Sequence, residues 1–230
     1  MAKFTVDTHL FRELGDLLVG RDSTALVELI KNAYDADATS VLVYGEALED
    51  RERGMIRISD DGVGMSMQEF ERGFLRIASR SKEQGRRISK RFARRYTGAK
   101  GIGRLAAHKL ACVLEIESAA WEPNLVSPSR QAVAAKIDWD LVEKQETLDD
   151  LEETDALVVE PRLVTGDMRS GTTITLRRLR RRWSLDERGR FLAEVQSFEP
   201  PQVLVSPLPD SVIKTPLLFK ELKIRDAPPY

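Results

Sequence analysis

Glu28, Asn32 and Asp35 stand at i, i+4 and i+7 in the segment VELIKNAYDADA. On a helix that spacing puts an amide between two carboxylates along one polar stripe, with Leu26, Leu29, Ile30 and Ala33 on the apolar side. An amide oxygen suits a hydrated divalent cation such as Mg²⁺ beside phosphate oxygens, and Glu28, one turn away, is placed to take a proton from an attacking water. A second cluster, SDDGVGMS, offers Asp61 as acceptor for an exocyclic amino group such as that of adenine. Gly62 and Gly64 admit close backbone approach there, and Met65 can pack on a base. The third, TGAKGIGRLA, sets Gly98, Gly101 and Gly103 before a helix, where free N–H groups and the helix dipole attract anions. Taken singly, the three also fit a solvated helix face, an acidic turn after a strand and an ordinary glycine turn. In that order they describe a nucleotide site. The third is neither a Walker A loop, lacking Gly-Lys-Ser/Thr, nor a dinucleotide fingerprint, since no strand precedes it.

The elements that must position these clusters follow from periodicity. Residues 9–19 read as an amphipathic helix stopped by Gly20, and a second helix, capped by Asp22 or Ser23, runs to about Ala36. VLVYG and MIRISDD read as strands, and MSMQEFERGFLRIA as a helix capped by Ser66 with Phe70, Phe74 and Ile77 on one face. A long basic stretch, 79–99, leads to the helix GIGRLAAHKLA. Four strand-like runs follow (VLEIESA, AVAAKIDW, LVVEPRLV, TTITLRR), then a helix over 185–198 and a proline-rich tail. Helices first and strands later imply an α/β sandwich with a mixed, largely antiparallel sheet.

Composition narrows the function classes. With 230 residues and 42% hydrophobic content the chain can bury a sizeable core, and no stretch reaches the roughly 18 apolar residues of a membrane span. The start, MAKFTVDTHL, lacks a signal peptide's apolar run, so a cytoplasmic location with no membrane partner is expected. Cys112, alone and in LACVLEI, reads as a small core residue, and His9 and His108 are too few and too separated for zinc, reading as surface or packing residues. The net charge of -1 conceals segregation: residues 76–104 are densely basic with Glu83 the lone acid, RRLRRRW is a second basic run, and residues 143–155 are acidic. The basic runs answer phosphate, nucleic acid or solvent.

The combination resembles the GHKL superfamily, which includes DNA gyrase B subunits, ninety-kilodalton heat-shock chaperones, histidine kinases and MutL mismatch-repair proteins. Glu28, Asn32 and Asp35 match its first motif, Asp61, Gly62 and Gly64 its second, Gly98, Gly101 and Gly103 its third, and GTTITL at Gly171 its late Gly-Thr strand. The resemblance covers about residues 9–180. It implies the Bergerat fold, a two-layer sandwich with helices on one face of the sheet, and ATP held between the layers with Mg²⁺ on Asn32. It further implies a base read by Asp61 with water-mediated support from Thr172, and a lid at about 79–103 over the phosphates. The nucleotide set then includes Asp35, Met65, Lys82, Lys100, Ile102 and Arg104, although Arg104 fits solvent as well as phosphate.

Glutamate at position 28 matches the hydrolysing branch, in which it is the general base, rather than the kinases, which carry asparagine there. RIASRSK, ending at Lys82, is similar to the Ala-Thr-Ser-Lys element of MutL and MORC-type ATPases, whereas GAKGIGRLA departs from MutL. The resemblance thus implies an ATPase domain over residues 1–183, with 184–230 leading into a further domain. Lid closure and ATP-dependent homodimerisation would drive a cycle in a larger protein. The alternatives are a non-catalytic ATP switch and a nucleic-acid-associated ATPase using the basic lid.

Overall fold

The computed structural model describes residues 6–18, 20–75, 88–97, 103–122, 129–165, 170–196 and 221–226. In chain order it forms α1 (Leu10–Leu18), α2 (Asp22–Asp35), β1 (Ser40–Glu46), β2 (Met55–Asp60) and α3 (Met67–Glu69), which continues into a π-helical turn, Phe70–Leu75. There follow α4 (Gly103–Leu110), β3 (Ala111–Ala119), β4 (Ser129–Asp138), α5 (Trp139–Val142), a 3-10 turn (Leu148–Glu153), β5 (Leu157–Thr165), β6 (Gly171–Leu179), α6 (Leu185–Gln196) and β7 (Glu221–Asp226). The seven strands form one sheet in the order β5-β4-β3-β6-β2-β1-β7. Neighbours are antiparallel except β7, which lies parallel to β1. The mixed, mostly antiparallel α/β sandwich expected from the sequence is the observed fold.

Alternation along the strands divides the two faces. Val41, Val43, Ile56, Ile58, Leu114, Ile116 and Leu176 point into one core with Leu26, Leu29 and Ile30 of α2 and Ala106, Ala107 and Leu110 of α4. Leu26 is 2% and Ile30 0% exposed, so each contributes roughly 1.5–3 kcal/mol of burial. The opposite face carries Arg57, Glu115, Glu117, Lys136, Glu160, Arg162 and Arg177. These pair across strands, Arg177 Nε with Glu115 at 2.9 Å among them, and stay solvated.

Several local expectations change. Arg21, in extended conformation, precedes α2 without a side-chain cap; Ser23 instead donates to Glu194 of α6 at 2.8 Å. The 184–196 segment therefore joins the same core, through Phe191 and Val195. Ser66 does cap α3, in a reciprocal box with Glu69, and Phe70 stacks on Phe74 with centroids 4.9 Å apart. Cys112 is only half-buried rather than a core residue. His108 is a packing residue: it meets Trp139 edge-on and its Nε2 lies 2.9 Å from Glu143. Burial, then the neighbouring Arg180 charge, hold its pKa below the ordinary value.

Candidate functional site

Four chain segments meet at the C-terminal end of α2. The turn after β2 docks there through Val63 N–H to Ala36 O, 2.7 Å. On its other side Trp121 N–H donates to Val63 O at 2.7 Å, and Met65 N–H donates to the Ser118 hydroxyl at 2.8 Å. The Ser118 oxygen also lies 3.2 Å from Gly171 O and 2.8 Å from the Thr172 hydroxyl. Ser118, 4% exposed, thereby pins the glycine turn to the start of β6. No cluster in the sequence marked it.

Two glycines make that approach possible. Gly64 has φ +57, and a Cβ on it would lie 1.9 Å from Ala119 O; on Gly171, φ +149, a Cβ would lie 2.1 Å from Asp60 O. A side chain at Gly64 would drive the turn from the end of β3, and one at Gly171 would drive β6 from the end of β2.

The two adjacent aspartates are divided by this geometry. Asp61 faces the linker after α2: Oδ1 accepts from Thr39 N–H at 2.6 Å and Ser40 N–H at 2.7 Å, and Oδ2 from the Thr39 hydroxyl at 2.5 Å. Burial opposes its ionisation, yet the Thr39 hydroxyl and these N–H groups outweigh burial and hold the carboxyl below its ordinary value. Its oxygens are engaged in closing the β2 turn, which is not the base-reading geometry expected of Asp61. Asp60 shares the inward parity of Ile56 and Ile58. Its Oδ1 accepts from Gly62 N–H at 2.9 Å and Thr172 N–H at 3.3 Å; among the described residues no hydrogen bond reaches Oδ2. Burial pushes this carboxyl up to about 6, against two backbone hydrogen bonds that lower it. Thr172 thus touches an aspartate directly through its backbone, and the aspartate is Asp60.

On α2, Glu28 and Asn32 are both half-buried, one turn apart. Lys31 Nζ reaches Glu28 Oε1 at 2.6 Å. Asp35, 7% exposed, accepts from Thr97 N–H at 2.8 Å and from its hydroxyl at 2.9 Å. Met65 packs against the core beside the turn. Gly103 and Arg104 open α4, which packs on α2. Lys82, Gly98, Lys100, Gly101 and Ile102 lie outside the described residues, as does the RIASRSK element. Among the described residues no group of His, Cys, Asp and Glu gathers into a metal site, and no helix is long and apolar enough to cross a membrane.

Three arginines of the second basic run have partners within the molecule, while Arg181 and Arg182 are exposed. Arg177 pairs with Glu115, Arg178 with Asp140, and Arg180 donates to His108 O at 2.7 Å and Glu143 Oε1 at 3.2 Å.

A putative type II restriction enzyme, HgiDII, of Herpetosiphon aurantiacus is 36% identical over 92 residues, which make up 40% of this chain and 14% of that protein. The family described as histidine kinase-, DNA gyrase B- and HSP90-like ATPase matches residues 21–162, a stretch that contains α2, the glycine turn, α4 and β3. By that match the chain belongs to this ATP-binding ATPase family.

Proposed function

We propose that the chain binds ATP with Mg²⁺ at the end of α2 and hydrolyses it, and that Asp60, in place of Asp61, reads the base. The observation that carries this is the Asp60 carboxylate: Oδ1 is held by two backbone N–H groups, while among the described residues no hydrogen bond reaches Oδ2. An ionised carboxylate held in this way is a pre-oriented acceptor for an exocyclic amino group. Gly62, Gly64 and Met65 then line the base, and Thr172 fixes Asp60.

Asn32 fits Mg²⁺ as one neutral oxygen ligand, the remaining ligands being phosphate oxygens and water. The ion supplies charge neutralisation at the phosphates. Glu28 lies one helical turn from Asn32 and takes the proton of the attacking water. A positioned base of this kind contributes roughly 10²–10⁴-fold. Gly98, Lys100, Gly101, Ile102, Gly103 and Arg104 hold the phosphates, with Lys82 joining them as the 79–103 segment closes, and two copies pair in the ATP-bound state. In this reading the cycle drives a larger protein.

Glu28→Ala is expected to abolish phosphate release while ATP binding stays measurable by calorimetry; undiminished hydrolysis removes Glu28 from the base role. Wild-type protein that binds ATP and a non-hydrolysable analogue equally but releases no phosphate is a switch instead. The likeness to a restriction enzyme supports a second reading, an ATPase associated with nucleic acid. Its footprint would lie on the basic 76–104 segment and on the exposed Arg181 and Arg182, since Arg177, Arg178 and Arg180 already have acidic or backbone partners.

A further inference from the structure

Residues 88–97, which lead into the third glycine cluster, form a clasp on the C-terminal turn of α2. Ile88 and Arg95 make an isolated antiparallel bridge, closed by Ser89 N–H to Arg94 O at 2.8 Å. Inside this turn sits Asp37, fully buried and in the left-handed region at φ +62. Its carboxylate accepts from the Ser89 hydroxyl, from Arg91 N–H at 2.7 Å and from Phe92 N–H at 3.2 Å. Arg94 enters from the other side, 6% exposed. Its Nη1 donates to Ala38 O at 2.6 Å and Tyr34 O at 3.3 Å, and the guanidinium lies 4.8 Å from the Tyr34 ring centroid and 4.9 Å from that of Phe92. A cation there also complements the carbonyl end of α2. Thr97 completes the clasp on Asp35.

This arrangement holds two costs that a merely convenient loop would shed: a non-glycine residue at positive φ, and the buried Arg94 Nε, which has no hydrogen-bond partner among the described residues. It also joins two halves of the site. Residues 34–38 hold the base-reading turn through Ala36 O and the clasp through Asp35, Asp37 and the Tyr34 and Ala38 carbonyls. Thr97 is fixed there, and α4, beginning at Gly103, is packed on the same helix. The chain therefore enters and leaves the glycine cluster from positions set by α2.

We propose that Asp37 and Arg94 are positioning residues for the triphosphate: they fix residues 89–94, the approach to the third glycine cluster, on the helix that carries Asn32, and they contribute nothing to recognition of the base. Pre-organisation raises affinity by removing the ordering cost at binding. The inference rests on the ATP reading above, and comparing ATP with adenosine separates the two.

Calorimetry on the 230-residue chain is expected to give ATP affinity about tenfold or more weaker in Asp37→Ala and Arg94→Ala, with adenosine affinity unchanged within about twofold. Asp37→Asn, which tolerates the left-handed backbone and keeps an acceptor oxygen, should recover part of the loss. Circular dichroism checks folding. If either alanine variant fails to fold, Thr97→Ala, which opens the clasp at its exposed end, carries the same expectation. An ATP-to-adenosine ratio unchanged in the folded variants overturns the positioning role and leaves the ATP site standing. A wild-type chain that binds neither ligand overturns both.

Discussion

At the scale of single residues, the division of labour between Asp60 and Asp61 decides the chemistry. In the proposed reading Asp60 accepts the amino group of the base as a carboxylate, the stronger acceptor, and burial pushes its carboxyl up to about 6. ATP affinity should therefore be flat above about pH 7 and weaken as pH falls through about 6, where the carboxylate is lost; titrations over pH 5–8 check this. The same group acts on stability with a definite sign. Its folded pKa is raised above 3.8, so the folded state binds the extra proton between about 4 and 6, and stability drops as pH rises through that window. The full effect is up to about 3 kcal/mol. Asp60→Asn should flatten this dependence in denaturant titrations. Asp61→Asn is expected to lower stability by about 1–3 kcal/mol through its lost Thr39 and Ser40 bonds while changing ATP affinity little. The DDG pair was visible in the sequence. What separates its members was legible too, because Ile56, Ile58 and Asp60 share one strand face, but the parity rule must be carried past the last apolar residue to see it.

Among the elements, most of the sandwich was readable from periodicity, and the exceptions have physical causes. The helix and strand patterns of 22–35, 40–46, 55–60, 103–110 and the four later strands recur in the structure within a few residues. The cap of α2 was not readable, because Ser23 makes its hydrogen bond across the molecule to Glu194, 171 positions away. The clasp was equally hidden: RISKRFARRYT looks like a solvated basic run, yet its order comes from Asp37 and from carbonyls of α2, which composition does not reveal. Ser118 was missed for the same reason. Gly64 and Gly171 carry an element-scale prediction. Gly64→Ala and Gly171→Ala should each cost several kcal/mol, since a Cβ would sit within about 2 Å of a backbone oxygen. Thermal melts check this, and wild-type stability in either variant contradicts the docked turn.

For the whole molecule, the sheet acts as a platform whose buried face holds the helices and whose open face stays charged. In the proposed reading the nucleotide sits where α2, the β2 turn, β3 and β6 converge, beside residues 34–38. The engaged arginines of β6 bear on partners. Arg177→Ala and Arg178→Ala are expected to leave any nucleic-acid affinity and its salt dependence unchanged, as neither arginine is a phosphate contact in this account.

Whether Asp60 reads an exocyclic amino group in an ATP site is tested most directly by calorimetry of the wild type and Asp60→Asn with ATP and with inosine triphosphate, which carries a 6-oxo group in place of the amino group. Losing a charged hydrogen bond is worth roughly 1.5–3 kcal/mol. The wild type should thus prefer ATP by about tenfold or more, and Asp60→Asn should lose that preference together with most of its ATP affinity. Equal binding of the two nucleotides by the wild type, or undiminished ATP preference in Asp60→Asn, contradicts the account.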